Sequence, residues 1–384
     1  MRRCDVLVVG AGLAGLWTAR RLASAGLGVV LVDGRARVDQ QIRTTGIFVR
    51  RTLEDFALPE AWFGPPVRHV MLYSPGRRRQ LLESPHPEFR VGRMGPLYRA
   101  LLAEARDAGV EWRPRTRCTG IGEGDDPAVK LTGRGAGVLR PRFIVGADGA
   151  RSRVAGWLGL DQNREWITGV EEVYRGVPLD GPPVFHCLLS TELAPGYLAW
   201  MVHDGEEVHL GVGGYPGRFE PARALARLKA DPPVPVDWGR ATLVERRGGL
   251  IPVGGVLPRI GNRRGVLVGD AAGAVSPLTA GGLDPCLRLS DFAARVTADY
   301  LESGDPAVVA AFDGGPLRRR FAARLALRRL LAGLEHPLLL EAATLMLRLP
   351  PFNRVAEKVF FGRGSFPDVP GWIPGRRVRQ TAVA

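Results

Sequence analysis

Six residues, Gly10-Ala11-Gly12-Leu13-Ala14-Gly15, and a carboxylate at Asp33 carry the chemistry most open to derivation. Gly10 permits a sharp turn, Gly12 keeps a side chain away from the backbone N–H groups, and Gly15 lets a helix close onto a strand. A helix beginning here aims partial positive charge outward, so the ligand it suits is a pyrophosphate. Asp33 can accept hydrogen bonds from a ribose and would repel a 2′-phosphate, which leaves NAD or FAD. Farther on, Thr44 and Thr45 can hydrogen-bond a ring system, and Gly46 permits close backbone approach. Gly146-Ala147-Asp148-Gly149-Ala150-Arg151-Ser152 is a second turn, with an acid, glycines and a base.

These residues need elements to position them. Val6 to Val9 is a β-branched apolar run suited to a buried strand. Leu16 to Ala25 reads as a helix stopped by Gly26, and Val29 to Val32 as the strand that ends on Asp33. Val67 to Ser74 and Arg79 to Leu82 read as strands flanking the turn Pro75-Gly76. A helix is expected over Pro96 to Ala108 and a continuous strand over Val110 to Thr119. Phe143 to Val145 is a buried strand, and Val154 to Leu158 starts another helix. From Trp166 to Pro252 strands recur with one helix, Pro221 to Lys229, which suggests a separate antiparallel sheet. Gly265 to Ala272 returns to the buried-strand pattern. Asp284-Pro285 reads as a helix N-terminus with Asp as its cap. Leu317 to Leu334 and Pro337 to Leu349 read as basic amphipathic helices, and Arg376 to Ala384 as a frayed tail.

Composition narrows the function classes. The chain has 384 residues and a net charge of +14, which invites a nucleic-acid reading. Yet its only lysines are Lys130, Lys229 and Lys358. The remaining positive charge is arginine, spread with no aromatic-interleaved stripe, so no nucleic acid is expected. Cys4, Cys118, Cys187 and Cys286 have neither metal nor redox spacing, which points to reduced thiols in a cytoplasmic protein. The scattered histidines predict no metal. Met1 to Leu16 has a basic start and an apolar run, but Asp5 interrupts it and the glycine fingerprint accounts for it better than a leader. No uncharged run reaches the roughly 18 residues that a membrane span needs. Peripheral membrane contact stays open as a use of the C-terminal helices.

Three stretches in order, Gly10–Gly15, Gly146–Ser152 and Gly269–Ala272, resemble the FAD-dependent aromatic hydroxylase superfamily, of which p-hydroxybenzoate hydroxylase is typical. Pro277-Leu278-Thr279-Ala280-Gly281-Gly282-Leu283 and Gly248-Gly249-Leu250-Ile251-Pro252 look more like its geranylgeranyl reductase branch. So does the spacing from Trp200 to Gly211-Val212-Gly213. That branch's motif has Phe-Pro at the place of Val202-His203, and its tyrosine is displaced here to Tyr197.

The resemblance implies an α/β fold: a Rossmann-like FAD-binding domain interleaved with an antiparallel β-sheet substrate domain, plus C-terminal helices. The expected divisions are 1–165 for the first FAD-binding part, with 66–92 joining the substrate sheet, 166–260 for that sheet, 261–305 for the second FAD-binding part and 306–384 for the helical segment. It further implies that Asp270, Arg93 and the backbone at Cys118 contact FAD beside the fingerprint residues, Thr45, Gly46, Asp148 and Gly149. Ala280, Gly281, Gly282 and Leu283 would meet the flavin. Tyr197, Trp200 and His203 would line the substrate face, although core packing suits both aromatics and a surface position suits His203.

No residue stands out as the catalytic proton donor. The implied activity is an FAD-dependent oxidoreductase passing hydride between flavin and a hydrophobic, polyprenyl-type substrate. The alternative is an FAD monooxygenase acting on an aromatic or polyketide. Glu171-Glu172 would suit a charge-stabilising isomerase, but two acids opening a strand are ordinarily solvated. No second glycine fingerprint has the right context, so NAD(P)H would visit only transiently as reductant, or another electron donor would serve.

Overall fold

The computed structural model describes residues 2–124, 126–178 and 181–362; the expected fray at Arg376 to Ala384 lies outside them. Two sheets dominate. In the first, the strands run in the order Gly261–Asn262, Gly265–Leu267, Gly137–Gly146, Arg2–Val9, Val29–Val32, Glu111–Arg113. Its central pairs are parallel. Val6, Leu7 and Val8 are wholly buried, so both faces of the strand are covered, which is why it is apolar on successive residues. The helices Leu13–Ser24, Met94–Asp107 and Leu283–Ser303 pack together on this sheet. Trp17 Nε1 ties the first of them to Asp291 on the last at 2.6 Å.

The second sheet runs Thr242–Pro252, Trp166–Arg175, Glu207–Gly214, Ala199–His203, Val184–Leu188, His69–Tyr73, Arg79–Leu82. All its pairs are antiparallel except Val184–Leu188 with His69–Tyr73. Chain segments far apart in sequence therefore meet in one layer, with a parallel seam where they join.

Three local expectations are corrected. The strand expected over Val110 to Thr119 is broken into Glu111–Arg113 and Thr116–Ile121. Pro114 has no N–H for a ladder, and Arg115 takes a left-handed φ of 50°. Gly282, not Asp284, caps the Leu283–Ser303 helix; the Asp284 carboxylate is claimed by Thr52 Oγ1 at 2.8 Å and Arg288 Nε at 2.9 Å. Among the described residues the C-terminal part forms five helices, Pro306–Ala310, Gly314–Arg320, Ala322–Gly333, Pro337–Met346 and Pro350–Phe361, and buried Phe321 breaks the helix expected over Leu317 to Leu334. No described helix is long and apolar enough to cross a membrane.

Candidate active site

A cavity of about 1480 Å³ runs between the two sheets. That is larger than the roughly 300–1,000 Å³ of ordinary ligand pockets, and leaves room for two ligands end to end. One end is built by the glycine turn. Gly10 has φ +104°, and a Cβ there would stand 2.3 Å from the Ala147 carbonyl oxygen. Gly15 would strike the Gly10 carbonyl at 1.8 Å, so it serves helix–strand closure and does not face the cavity. Gly12 differs: a Cβ there meets nothing within 4 Å and would project into open space. Gly12 also caps the Leu13–Ser24 helix without a side-chain hydrogen bond, leaving the helix N-terminus free for a ligand.

Asp33 lines the cavity but is already engaged. Its carboxylate accepts from Ala11 N at 2.7 Å and from Arg35 Nε and Nη2, each at 2.9 Å. Burial pushes its pKa up, and the Arg35 guanidinium and the N–H donors more than reverse that. The acid therefore braces the glycine turn. Asp148 is similarly occupied: it accepts from Ser152 Oγ at 2.6 Å and Arg153 N at 2.8 Å, at the start of the short Arg153–Trp157 helix that Ser152 caps. Gly149 and Cys118 lie beside it on the wall.

At the middle of the cavity, Thr45, Gly46, Asp270 and the turn Ala280-Gly281-Gly282-Leu283 come together. Ala280 holds φ 52°, and the following helix again has no side-chain cap. Burial raises the Asp270 carboxyl to about 6, against the pull of Arg43.

Tyr197 and Trp200 line the opposite wall. Tyr197 donates its hydroxyl to the Thr279 carbonyl at 2.7 Å. The Trp200-to-glycine spacing has a steric cause: a Cβ on Gly211 would lie 2.2 Å from the Trp200 ring, and one on Gly213 would lie 2.7 Å from the Tyr197 ring. The two glycines let both rings lie on the sheet. His203 and Arg93 do not line the cavity. His203 lies three residues beyond Trp200 on the same strand, and side chains there alternate between faces. Arg93 is drawn to Glu206, with Nη2 2.7 Å from Oε1.

Glu171 is the residue whose position reverses its sequence reading. It is 3% exposed and forms part of the cavity wall. It accepts from Thr45 Oγ1, from Trp200 Nε1 at 2.9 Å and from Arg247 Nη1 at 3.3 Å, and lies 3.3 Å from His209 Nδ1. His209 Nε2 stands 3.7 Å from Asp204 Oδ2, an ion-pair distance. Burial alone would lower the His209 pKa, but the Asp204 and Glu171 carboxylates raise it to about 9. Burial alone would raise Glu171; His209 and Arg247 bring it down to about 2. Glu172 points the other way and is held by Arg246 Nε at 2.9 Å and by the Tyr174 hydroxyl, its side chain 14% exposed, so neither acid is solvated as expected. Asp204, Glu207 and His209 also bring ligand-capable atoms within 4.8 Å of one another, a grouping not seen in the sequence. Two of its members are engaged otherwise: Asp204 accepts from Glu207 N, and the Glu207 carboxylate pairs with Arg175.

Sequence reasoning also missed the far end of the cavity, which belongs to the C-terminal helices. Leu331, Leu340, Met346, Leu347, Val355 and Phe360 line it. The amphipathic spacing of the first four was visible; the Pro350–Phe361 helix that carries Val355 and Phe360 was not, and neither was the closing of a chamber by these apolar faces.

The model of the FAD binding domain family matches residues 3–207. Digeranylgeranylglycerophospholipid reductase of Methanosarcina acetivorans is 30% identical over 319 residues, covering 78% of this chain and 76% of that protein. The protein of the same name from Methanothrix thermoacetophila is 30% identical over 325 residues, covering 80% of each chain. Among solved structures, a geranylgeranyl bacteriochlorophyll reductase-like protein of Thermoplasma acidophilum superposes with a TM-score of 0.81 at 22% identity, over 96% of this chain and 98% of that one. The p-nitrophenol 4-monooxygenase of Pseudomonas putida gives 0.66 at 19% identity, over 96% of each.

Proposed function

Because the chain belongs to the FAD binding domain family and is an FAD-dependent oxidoreductase, we propose that it reduces carbon–carbon double bonds in an isoprenoid chain carried on a lipid. The observation that carries this reading is a single cavity lined both by two open helix N-termini and by a chamber of leucine, methionine and phenylalanine side chains. An aromatic monooxygenase substrate has no need of so long an apolar chamber.

The residues fit the cofactor. The space where a Gly12 Cβ would project is what a pyrophosphate at a helix start requires. In this reading residues 1–165 and 261–305 hold FAD, and 166–260 roof the substrate. Gly10, Gly12, Leu13 and Ala14 would hold the pyrophosphate, with Asp33 keeping the turn in shape and Gly149 and Cys118 alongside. Thr45, Gly46, Asp270 and the Ala280–Leu283 turn would hold the ring end. When bound, FAD supplies the two-electron transfer; NAD(P)H visiting transiently, or another donor, would replenish it. The chain's own part is to orient the alkene under Tyr197 and Trp200 and to exclude water with the C-terminal helices.

Those helices also support docking on a lipid surface. Leu330, Leu338, Leu339 and Leu349 are more than half exposed, and Leu330 belongs to the cavity lining as well. A lipid could pass from a bilayer into the chamber without crossing bulk water.

The test is anaerobic. Chemically reduced holoenzyme is mixed with a geranylgeranyl lipid, and the flavin absorbance and product mass are followed. Reoxidation with a product heavier by a pair of hydrogens is expected. Failure to reoxidise with any unsaturated lipid, alongside oxygen consumption and a hydroxylated product from an aromatic, would overturn the reductase in favour of a monooxygenase.

A further inference from the structure

Among the cavity arginines that have no carboxylate partner among the described residues, two on the Ala322–Gly333 helix are set apart by not being exposed. Arg324 and Arg328 are four residues apart, so they share one helix face, and both belong to the cavity lining. Arg328 is only 3% exposed. Its Nε donates to Tyr215 Oη at 3.2 Å, and its guanidinium lies 5.4 Å from the Tyr197 ring centre and 5.0 Å from that of Tyr215. Its Nη2 is buried with no hydrogen-bond partner. Arg324, half-buried, donates from Nη1 to Ser276 Oγ at 2.9 Å. Among the described residues neither guanidinium has a carboxylate oxygen within 4 Å.

That is unlike the buried arginines around them. Arg35 has Asp33, Arg247 has Glu171, and Arg288 has Asp55 and Asp284. Glu335, near Arg328 across a shallow neighbouring groove, is taken by Arg218 at 3.0 Å. A guanidinium removed from water without an anion is costly, and tyrosine faces return only part of the lost hydration. Two such groups on one helix face, in a cavity wall, are what an anionic ligand would compensate. Arginine's planar fork matches phosphate oxygens in particular. Leu327 and Leu331, on the same face of the helix, line the adjoining apolar chamber. The ligand that satisfies both is an amphiphile.

We propose that Arg324 and Arg328 form an anion site that holds a phosphate group attached to the isoprenoid chain. This rests on the isoprenoid reading of the cavity. Ser276 and Thr279, joined through their hydroxyls at 2.9 Å, and the Tyr197 hydroxyl set the polar rim beside it.

The test compares ligands that share one chain. Geranylgeranyl diphosphate, a digeranylgeranyl glycerophospholipid, geranylgeraniol and inorganic phosphate are titrated calorimetrically into the oxidised holoenzyme. Wild type is expected to bind one or both phosphorylated lipids at least about tenfold more tightly than the alcohol. Arg324→Gln and Arg328→Gln should each reduce that ratio by about tenfold, and Arg328→Lys should restore part of it. Which of the two lipids keeps the larger ratio identifies the carrier of the phosphate. Melting temperature and FAD content of each variant report on folding. Arg324→Gln, at a half-exposed position, keeps the test usable if the Arg328 variants do not fold.

An alcohol that binds wild type as tightly as the phosphorylated lipids overturns the proposal and leaves the reductase reading standing. So does an unchanged ratio in Arg324→Gln accompanied by a shifted flavin midpoint potential, which would assign the arginines to the cofactor. Inorganic phosphate that binds as tightly as the lipids would also overturn it, as a site for the free anion. Absence of binding and turnover with every lipid would remove the isoprenoid reading itself.

Discussion

Gly10 and Gly12 lie two positions apart and fail differently when given a side chain. Gly10 is held at φ +104° against a carbonyl oxygen, so Gly10→Ala should cost the folded protein roughly 2–4 kcal/mol, read as a drop in urea midpoint. Gly12 has an ordinary φ of −76° and open space around it. Gly12→Val should fold with near-normal stability yet lose FAD affinity by at least about tenfold, measured by flavin fluorescence titration. Equal stability losses in the two variants would remove the distinction. The Glu171–His209–Asp204 group makes a pH prediction. His209 is raised from 6.5 to about 9, so its stabilising effect is complete below pH 6.5 and is lost as pH rises through 9. Glu171 is lowered from 4.5 to about 2, so its effect is complete above pH 4.5 and is lost as pH falls towards 2. Stability should peak between pH 4.5 and 6.5. The alkaline decline should be on the order of 2 kcal/mol and should flatten in His209→Asn. A wild-type stability curve level from pH 6.5 to 9 would sink the buried ion pair.

At the scale of elements, four neighbouring strands place Arg247, Glu171, Gly211 and Trp200 in a single row across the sheet. Opposite residues of an antiparallel pair share a face, so the acid, its base and the indole meet without any loop to arrange them. Gly211 is the gap in that row through which the Trp200 ring lies down. Gly211→Ala should push the indole off the sheet, break its 2.9 Å bond to Glu171 and destabilise by about 1–3 kcal/mol. A red shift in tryptophan emission and weaker lipid binding should accompany it, provided Trp200 is confirmed as the reporter with Trp200→Phe. Unchanged emission and affinity would mean that the ring is free to lie elsewhere.

At the scale of the whole molecule, the C-terminal helices present apolar side chains both to the chamber and to the outside. Leu338 and Leu339 are 72% and 58% exposed on a chain of net charge +14. Paired Leu338→Glu and Leu339→Glu changes should leave FAD content intact and reduce flotation with anionic vesicles by about tenfold or more. Flotation that is unaffected would reject this face as the docking surface. Much of the glycine-turn end of the cavity was already legible in residue order. The fingerprint glycines, Asp33 and the turn before Leu283 act through backbone geometry and local spacing, which a sequence displays directly. The Tyr197–Trp200 wall was half legible, since the glycines that seat the rings lie at a readable distance. Glu171 was not, because its surroundings come from three other strands and the Thr45 loop; by composition it is one of two adjacent acids. The same holds for Arg324 and Arg328. In sequence they are ordinary members of an arginine-rich helix, and only the packing of that helix over the cavity leaves one of them buried and both without a counter-charge among the described residues. Sequence by itself determined the glycine turns and the helix starts that follow them, because backbone turns are encoded locally. Tertiary structure decided which charges are buried and what the apolar helices enclose, because burial depends on residues far away along the chain.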